Sequence, residues 1–452
     1  MRLRKTITTI VATAILLAGW QLFAVIANQP ELIPSLPRLV RTLCEWLVSG
    51  SFYQSVGATI LRGILGMSIS FVCAIGMAGL FARFEWVHEL FRPLLAIMRS
   101  IPVISFILLA LIFLNPESIP LMIAFLTMFP LLTENLTRGI LDLRPGLSIM
   151  ARQFHIKRSN VLFQIIYPQL KPFLYSGLAS AAGFGWRAII MGEVLSQCAF
   201  GIGSEMKRAQ NFIAVPELLA WTIVAVFISF FFDKGISKVA DITPKISFAN
   251  EDQTIPTPTL SVLDTKDISY QYGIQHFSHS FQKGIIYGIS APSGKGKTTL
   301  LNLIGGILLP TEGEIHPTRH FGIATIFQQP QLLPYLTAEE NIILPLSSFL
   351  TEEKARRIAQ KHLQEMEMEP FGNRYPKELS YGQQQRIAIA RALAYPSPLL
   401  LMDEPFKGLD EALSHRIIER IREKQMKEER IILFTSHNPD EIRLLADEVI
   451  YL

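Results

Sequence analysis

The segment SGKGKTT at 293–299 combines two glycines with lysine and hydroxyl side chains, and it follows the apolar run IIYGISA at 285–291. Glycine lets backbone N–H groups approach phosphate oxygens closely, and the start of a helix adds a dipole that favours anions. This pattern indicates a P-loop. We therefore expect the phosphates of a nucleotide to contact Ser293, Gly294, Lys295, Gly296, Lys297, Thr298 and Thr299.

Two of these residues have roles that follow from their chemistry. Lys297 is expected to lie between the β- and γ-phosphates, and the hydroxyl of Thr298 is expected to bind Mg²⁺. Ala291 stands where the usual P-loop pattern has its first glycine. Because alanine is the smallest replacement, we expect it to be tolerated, with strain only if the turn requires a positive φ.

The apolar run LLLMDEP at 399–405 ends in two acids followed by proline. Asp403 is predicted to bind Mg²⁺ through water, and Glu404 is placed to polarise the water that attacks the terminal phosphate. Two acids after an apolar run are common in proteins. Here the P-loop upstream supports a functional interpretation of the two acids. The two motifs together predict hydrolysis of a nucleoside triphosphate.

Short apolar segments alternate with helical segments in this part of the chain. We predict strands at 285–291, 324–328, 398–405 and 430–437 and a helix at 298–308. Strands of this kind form a mostly parallel sheet covered by helices on both faces, and ligands bind at the carboxyl ends of its strands. We therefore expect the P-loop and the two acids to meet at one edge of the sheet.

A third motif, LSYGQQQRIAIARAL at 379–393, resembles the signature motif of ATP-binding-cassette (ABC) proteins. Ser380, Gly382 and Gln383 begin a helix whose amide groups and dipole suit a γ-phosphate. The resemblance implies that this phosphate belongs to ATP held by a second copy of the chain. Tyr381 stands where the family has another glycine, and we expect this departure to affect the rate of hydrolysis rather than the assignment.

The resemblance covers residues 261–452 and implies roles for four further residues in the family's order. Tyr272 matches the aromatic residue that stacks on adenine, and Asp410 matches an aspartate that acts across the dimer. Gln328 matches the glutamine that senses Mg²⁺ and the attacking water, and His437 matches the switch histidine on the γ-phosphate. The implied catalytic residues are Glu404, His437 and Gln328, and the implied Mg²⁺ residues are Thr298, Gln328 and Asp403.

The other part of the chain is apolar. Of the 452 residues, 50% are hydrophobic and only 18% are charged, against about 25% charged residues in soluble proteins. This composition excludes disorder and collagen, three cysteines exclude a disulfide framework, and a net charge of +4 gives no support to nucleic-acid binding. We predict six transmembrane spans, at 7–27, 57–82, 94–114, 118–136, 173–197 and 214–232.

The basic residues between these spans predict the orientation. Positive residues favour the cytoplasmic side, and a signal peptide is disfavoured because the first apolar run is too long for one. We therefore place both termini and the ATPase domain in the cytoplasm. The predicted inside segments hold Arg2, Arg4, Lys5, Arg83, Arg92, Arg138, Arg144, Arg152, Lys157, Arg158, Lys171, Lys234 and Lys238, and the outside segments hold only Arg38, Arg41, Lys207 and Arg208.

The basic, amphipathic loop at 150–172 resembles the coupling loop of binding-protein-dependent importer permeases. Ala151 and Pro168 match the family pattern, whereas His155 stands at its glycine. Residues 30–235 as a whole resemble the permeases of nitrate, sulfonate, taurine and thiamine-precursor importers. The resemblance implies a type I importer permease fold, and we expect the loop to insert its apolar side chains into a groove of the ATPase domain beyond Gln328.

Three charged residues, Arg62, Arg187 and Glu193, fall inside predicted spans. Charge inside a membrane is costly and usually marks function. An ion pair that holds helices together is an equally good interpretation. The sequence does not decide between the two.

The sequence therefore predicts an all-α polytopic membrane domain at 1–235, a linker at 236–260 and an α/β P-loop ATPase domain, an ABC cassette, at 261–452. We expect ATP-driven import of a small solute, with ATP and Mg²⁺ as cofactors, across a bacterial cytoplasmic (inner) membrane. The expected partners are a second copy of the chain and a separate extracytoplasmic substrate-binding protein. The alternatives are a half-size ABC exporter and a membrane ATPase that transmits force without transport.

Overall fold

A computed structural model describes residues 2–240, 244–253, 260–271, 273–292, 294–317 and 322–452, with only the backbone of 2–6, 9 and 10. Tyr272 and Ser293, both predicted to bind the nucleotide, lie outside the described residues. By its contacts the chain divides into two compact units. The first comprises 1–143 and 169–243, and the second comprises 144–168 and 244–452.

The first unit is helical because its apolar runs are long and carry few strand or turn signals. Helices up to residue 240 are α1 (Arg2–Ala27), α2 (Leu36–Trp46), α3 (Gly50–Arg83), α4 (Glu85–Ser100), α5 (Val103–Phe113), α6 (Ile119–Leu141), α7 (Pro145–Gln153), α8 (Arg158–Asn160), α9 (Tyr167–Ser196), α10 (Ile202–Asn211) and α11 (Val215–Ala240). Of these, α7 and α8 belong to the second unit.

Among the described residues, four helical segments are long and apolar enough to cross a membrane. They are Gly50–Arg83, Pro116–Leu141, Arg158–Ser196 and Val215–Ala240, and they match the second, fourth, fifth and sixth predicted spans. The first predicted span corresponds to the shorter apolar stretch Val11–Ala27 of α1.

The third predicted span, 94–114, is not one straight helix. Helices α4 and α5 are bent by 96° at residues 101–102 and count as a fifth span only if taken together. Pro102 explains the break, because proline disfavours the helical region for the residue before it. Ile101 accordingly has φ −72° and ψ 130°.

The charged residues inside the predicted spans of the first unit include an ion pair. The Arg62 guanidinium donates to Glu193 Oε1 at 2.7 Å and to Glu117 Oε2 at 2.6 Å. Glu193 is fully buried and also accepts hydrogen bonds from Thr59 Oγ1 at 2.9 Å and the Gly203 amide at 2.9 Å. For Arg62 and Glu193 the structure therefore supports the ion-pair interpretation, whereas Arg187 is exposed on α9.

The second unit contains two sheets in its described residues. The strands are β1 (Val262–Tyr270), β2 (Ile274–Gln282), β3 (Ile286–Ser290), β4 (Glu312–His316), β5 (Ala324–Ile326), β6 (Leu399–Asp403), β7 (Ile431–Thr435) and β8 (Glu448–Tyr451). The helices are α12 (Lys297–Ile304), α13 (Ala338–Leu346), α14 (Glu352–Glu365), α15 (Tyr381–Ala394), α16 (Glu411–Glu428) and α17 (Pro439–Leu445).

The larger sheet has the order β5-β6-β7-β3-β8, and its four pairs of neighbouring strands are parallel. The smaller sheet, β2-β1-β4, is antiparallel. All four predicted strands are confirmed, and β6 and β7 are buried at every residue, as a sheet covered on both faces requires. Helix α12 ends at Ile304, four residues before the predicted end, because Gly305 and Gly306 follow and Gly306 has φ +68°.

Candidate functional site

The P-loop lies between β3 and α12 in the described residues. Gly294 and Gly296 have φ of +80° and +90°, in the left-handed region that glycine adopts without strain. A Cβ on Gly296 would stand 2.7 Å from the Gly273 carbonyl oxygen. Ala291 does not have a positive φ, so its replacement of the usual glycine introduces no backbone strain.

The side chain of the P-loop lysine, Lys297, bonds back to the start of the P-loop. The ammonium of Lys297 donates to the Ala291 carbonyl at 2.7 Å, and the residue is only 7% exposed. The ammonium also contacts the Pro292 carbonyl at 3.5 Å, so at least one of its three donors remains for phosphate oxygens. Lys297, Thr298 and Thr299 form the first turn of α12, where backbone N–H groups lack intrahelical partners and suit an anion.

Thr298 and Asp403 come together, as the sequence predicts. Thr298 Oγ1 donates to Asp403 Oδ2 at 2.9 Å, and Thr435 Oγ1 donates to Asp403 Oδ1 at 2.8 Å. Burial raises the pKa of Asp403, and these two hydrogen bonds oppose that rise. A buried carboxylate beside a hydroxyl supplies the oxygen ligands that Mg²⁺ prefers, so the residues fit the ion.

Glu404 follows β6 and has a φ of +49°. Its carboxylate accepts a hydrogen bond from Gln328 Nε2 at 3.2 Å and lies 3.3 Å from His437 Nε2 and 3.1 Å from Lys407 Nζ. Partial burial would raise the pKa of Glu404, but the bonds from Lys407 and Gln328 outweigh it and leave the pKa below its ordinary value. The structure therefore brings together the three predicted catalytic residues.

The signature residues begin α15. The Ser380 hydroxyl accepts from the Gln383 amide at 3.3 Å, and the Gln383 side chain accepts from the Ser380 amide at 2.9 Å, which forms a capping box. A Cβ on Gly382 would stand 2.6 Å from the Gly408 carbonyl oxygen, so glycine is required there. Asp410 caps α16 by accepting from the Leu413 amide at 2.9 Å.

Sequence reasoning missed two residues of this site. Lys407 pairs with Glu404, and Thr435 holds Asp403 while accepting from the Glu404 amide at 3.0 Å. A signal existed for Thr435, because it ends a strand next to β6 and pairs in register with Asp403. The spacing of Lys407 after Glu404 carries no comparable signal.

The loop predicted to couple the two domains packs into the second unit. Phe154 is fully buried and Ile156 is 7% exposed, in one apolar cluster with Leu332, Leu333 and Leu336, and Val161 packs against it. The sequence predicts that the apolar side chains of this loop enter a groove beyond Gln328, and the burial of Phe154 and Ile156, with Val161 partly buried beside them, agrees with that prediction. Backbone bonds anchor the loop as well, since the Ile323 amide donates to the Gln153 carbonyl at 2.7 Å.

The groove around Phe154 is formed by α15 and the segment that follows Gln328. The rings of Phe154 and Tyr395 meet edge to face at 5.2 Å. Arg391 donates to the Gln331 carbonyl at 2.8 Å and to the Pro330 carbonyl at 2.9 Å. The helix that carries the signature residues at its start thus contacts the loop near its end.

Two family models match the chain. The ABC transporter model matches residues 274–407, and the model of the binding-protein-dependent transport system inner membrane component matches residues 56–233. The order of the two matches agrees with the predicted order of the permease and the ATPase. The second match also goes against the exporter alternative, because it describes permeases that depend on a binding protein.

Curated relatives match the ATPase part. An uncharacterized ABC transporter ATP-binding protein from Methanocaldococcus jannaschii is 34% identical over 201 residues, which are 40% of this chain and 85% of that protein. An Fe(3+) ion import ATP-binding protein from Rhizobium etli is 35% identical over 189 residues, 40% of this chain and 54% of that protein. A glucose import ATP-binding protein from Saccharolobus solfataricus is 35% identical over 185 residues, 38% of this chain and 52% of that protein.

The chain spans about half the length of the iron and glucose relatives. The fold, the site and these matches define an ATP-binding cassette joined to a membrane permease. The chain belongs to the ABC transporter family, as a fusion of an importer-type permease and an ABC ATPase.

Proposed function

We propose that this chain uses ATP hydrolysis in the cytoplasm to import a small solute across a bacterial cytoplasmic membrane. One observation carries the proposal. Phe154, from the loop predicted to belong to the permease, is fully buried against the helix that Ser380 caps and beside the segment that follows Gln328. A change at the γ-phosphate can therefore reach the permease loop through Gln328 or Ser380 and the segments that connect these residues to Phe154. The domain limits that we propose are 1–235 for the permease and 261–452 for the ATPase.

The residues of the site have complementary tasks in hydrolysis. Lys297 and the first amides of α12 bind the phosphates, and Thr298 and Asp403 would hold Mg²⁺, which would neutralise charge on the phosphate oxygens. Glu404 orients the attacking water and accepts its proton, and a pKa below the ordinary value keeps its carboxylate unprotonated at neutral pH. Gln328 and His437 hold Glu404 by contacts of 3.2 Å and 3.3 Å.

The working unit is a homodimer in this proposal, because Ser380 and Gly382 contact ATP that is bound by the partner copy. The Ser380 hydroxyl accepts one bond from its own helix and keeps its proton free to donate. Cysteines introduced at 293 and 380, in a chain whose Cys44, Cys73 and Cys198 are replaced by serine, should crosslink between chains when hydrolysis is blocked. Crosslinks formed only within one chain would contradict the geometry.

A separate capture protein is part of the proposal. The predicted extracytoplasmic segments are 28–56, 115–117 and 198–213. Each is shorter than the ~50 residues of a small domain. A gene for an extracytoplasmic binding protein is therefore expected next to the gene for this chain.

An anionic solute, such as a sulfonate, taurine or nitrate, is favoured over a thiamine precursor by the exposed Arg187. It shares one face of α9 with the exposed Ser176 and Ser180 and with Gly183. Within residues 224–232 of α11 the exposed residues are instead large and apolar, for example Phe227 and Phe231. A cation facing lipid costs about 3 kcal/mol, so this face of α9 suits a water-filled path better than lipid.

Uptake into cells tests the proposal. Cells that produce this chain together with the neighbouring binding protein should accumulate radiolabelled taurine or nitrate, and omission of the binding protein should abolish accumulation. Arg187→Gln should lower uptake at least tenfold, while Arg187→Lys keeps most of it and both variants keep basal ATP hydrolysis. Export of solute without a binding protein would support the exporter alternative, and hydrolysis without movement of any tested solute would support the force-transmitting one.

A further inference from the structure

Tyr381, the residue between Ser380 and Gly382, reaches back to the segment that carries Gln328. Its hydroxyl donates to the Gln328 carbonyl oxygen at 2.8 Å. The side chain is 42% exposed, so the bond lies at the surface of the cassette where α15 begins. The residue that precedes it in the chain, Ser380, is the one assigned to the partner's ATP.

The ring of Tyr381 also contacts the segment between Glu404 and Asp410. A Cβ on Gly408 would stand 2.7 Å from Tyr381 Cδ1, and Gly408 has a φ of +80°. Only glycine therefore lets the 404–410 segment pass so close to the ring. One side chain thus connects three segments of the same cassette, namely the start of α15, Gln328 and the segment that follows Glu404.

The bond to Gln328 has a consequence for the catalytic carboxylate. Gln328 uses its side-chain amide to donate to Glu404 at 3.2 Å, while its carbonyl accepts from Tyr381. The position of the Gln328 backbone therefore sets where its amide meets Glu404. A glycine at position 381 has no atoms with which to make either contact, so this connection arises from the side chain that this sequence carries.

We propose that Tyr381 is a positioning residue that acts within its own chain: it holds Gln328 in place to orient Glu404 at the ATP bound by the same chain. Its neighbours Ser380 and Gly382 face the partner's ATP. Tyr381 thus lies between the residues assigned to the partner's ATP and the water-orienting residues of its own site. The inference rests on the proposed homodimer, in which each site combines residues of two chains.

Removal of the hydroxyl tests the contact. In the purified full-length protein in detergent, Tyr381→Phe should lower the kcat for ATP hydrolysis about two- to tenfold, the range expected for one neutral hydrogen bond. The KM for ATP should stay within about twofold, since no phosphate contact is removed. Tyr381→Gly removes the ring as well and should lower kcat further. The matched control is Tyr451→Phe, at a tyrosine that is 79% exposed in β8, and it should leave kcat unchanged.

Mixed dimers separate action within the chain from action on the partner. Two differently tagged chains are co-produced, and dimers carrying both tags are isolated. Lys297→Ala silences one chain, so hydrolysis occurs only at the other chain's P-loop. Tyr381→Phe in the active chain should lower turnover as it does in the homodimer. Tyr381→Phe in the silenced chain should leave turnover near that of the mixed dimer in which Lys297→Ala in one chain is the only substitution.

Each outcome of the mixed-dimer experiment either supports or overturns the proposed role of Tyr381. Loss of turnover only when Tyr381→Phe lies in the silenced chain would overturn the proposal and assign Tyr381 to the partner's phosphate. Equal effects from both chains, or an unchanged kcat in the homodimer, would overturn it as well. Failure of the homodimer proposal gives a different result, because no complex carrying both tags would then be recovered.

Discussion

The guanidinium carbon of Arg391 lies 5.4 Å from the centre of the Phe154 ring. Arg391 belongs to α15, and Phe154 belongs to the loop that the sequence assigns to the permease. The arginine is 1% exposed, and burial lowers its pKa to about 9, so it remains charged at neutral pH. A buried cation is thus held between the carbonyls that follow Gln328 and the aromatic ring of the loop.

Phe154→Asp should uncouple ATP hydrolysis from transport. The aspartate can pair with Arg391, but it is too short to fill the space between Arg391 and Tyr395, so the loop loses its fit in the groove. We expect hydrolysis in proteoliposomes to persist while solute uptake falls at least tenfold. Phe154→Leu, which keeps an apolar side chain, should retain most of the uptake. If the aspartate variant transports normally, the coupling site lies elsewhere.

His155→Gly should be tolerated or mildly activating. His155 has a φ of +46°, a left-handed conformation that costs a non-glycine residue about 1 kcal/mol. Glycine relieves this strain but adds entropy to the unfolded chain, so the free energy of unfolding should change by less than about 1 kcal/mol. Thermal unfolding and ATP turnover measure the effect. Lys157→Gly, at a φ of −51°, relieves no strain and serves as the control. A marked loss of stability in the His155 variant would contradict the argument.

Lys407→Met should move the acidic limb of the pH profile for ATP hydrolysis to higher pH. The carboxylate of Glu404 must be unprotonated to accept a proton, and the Lys407 ammonium 3.1 Å away helps to hold its pKa below the ordinary value. Loss of the cation raises that pKa, so activity is lost at a higher pH as the solution is acidified. Lys407→Arg keeps the charge and should keep the profile. Identical profiles for all three proteins would show that Lys407 does not tune Glu404.

Glu404→Gln should preserve ATP binding and remove most hydrolysis. The amide keeps the size of the side chain but cannot accept the proton of the attacking water, and a general base contributes about 10²- to 10⁴-fold to rate. Steady-state turnover and equilibrium binding of fluorescent ATP measure the two properties. Glu411→Gln, at an exposed position in the first turn of α16, is the matched control. Turnover within about twofold of the unmodified protein would exclude this role for Glu404.

Much of the fold and the site followed from the sequence alone. Charge-free runs of about 20 residues predict membrane helices without knowledge of their neighbours, because the length is set by the bilayer. The order of strand, P-loop and helix, and the acids at the end of β6, are likewise local patterns. Such patterns also located Thr298 and Asp403 as neighbours, since parallel strands bring their carboxyl ends to one edge.

Tertiary structure decided what depends on residues far apart in the chain. Arg62 pairs with residues 117 and 193, and Tyr381 contacts Gln328. In both cases the contacts join segments whose spacing in the sequence carries no periodic signal. The burial of Phe154 beside Arg391, which lies more than 200 positions later, has the same origin. Local sequence patterns report the surface that a segment must bury, whereas the partner that covers it is selected only when the segments pack together.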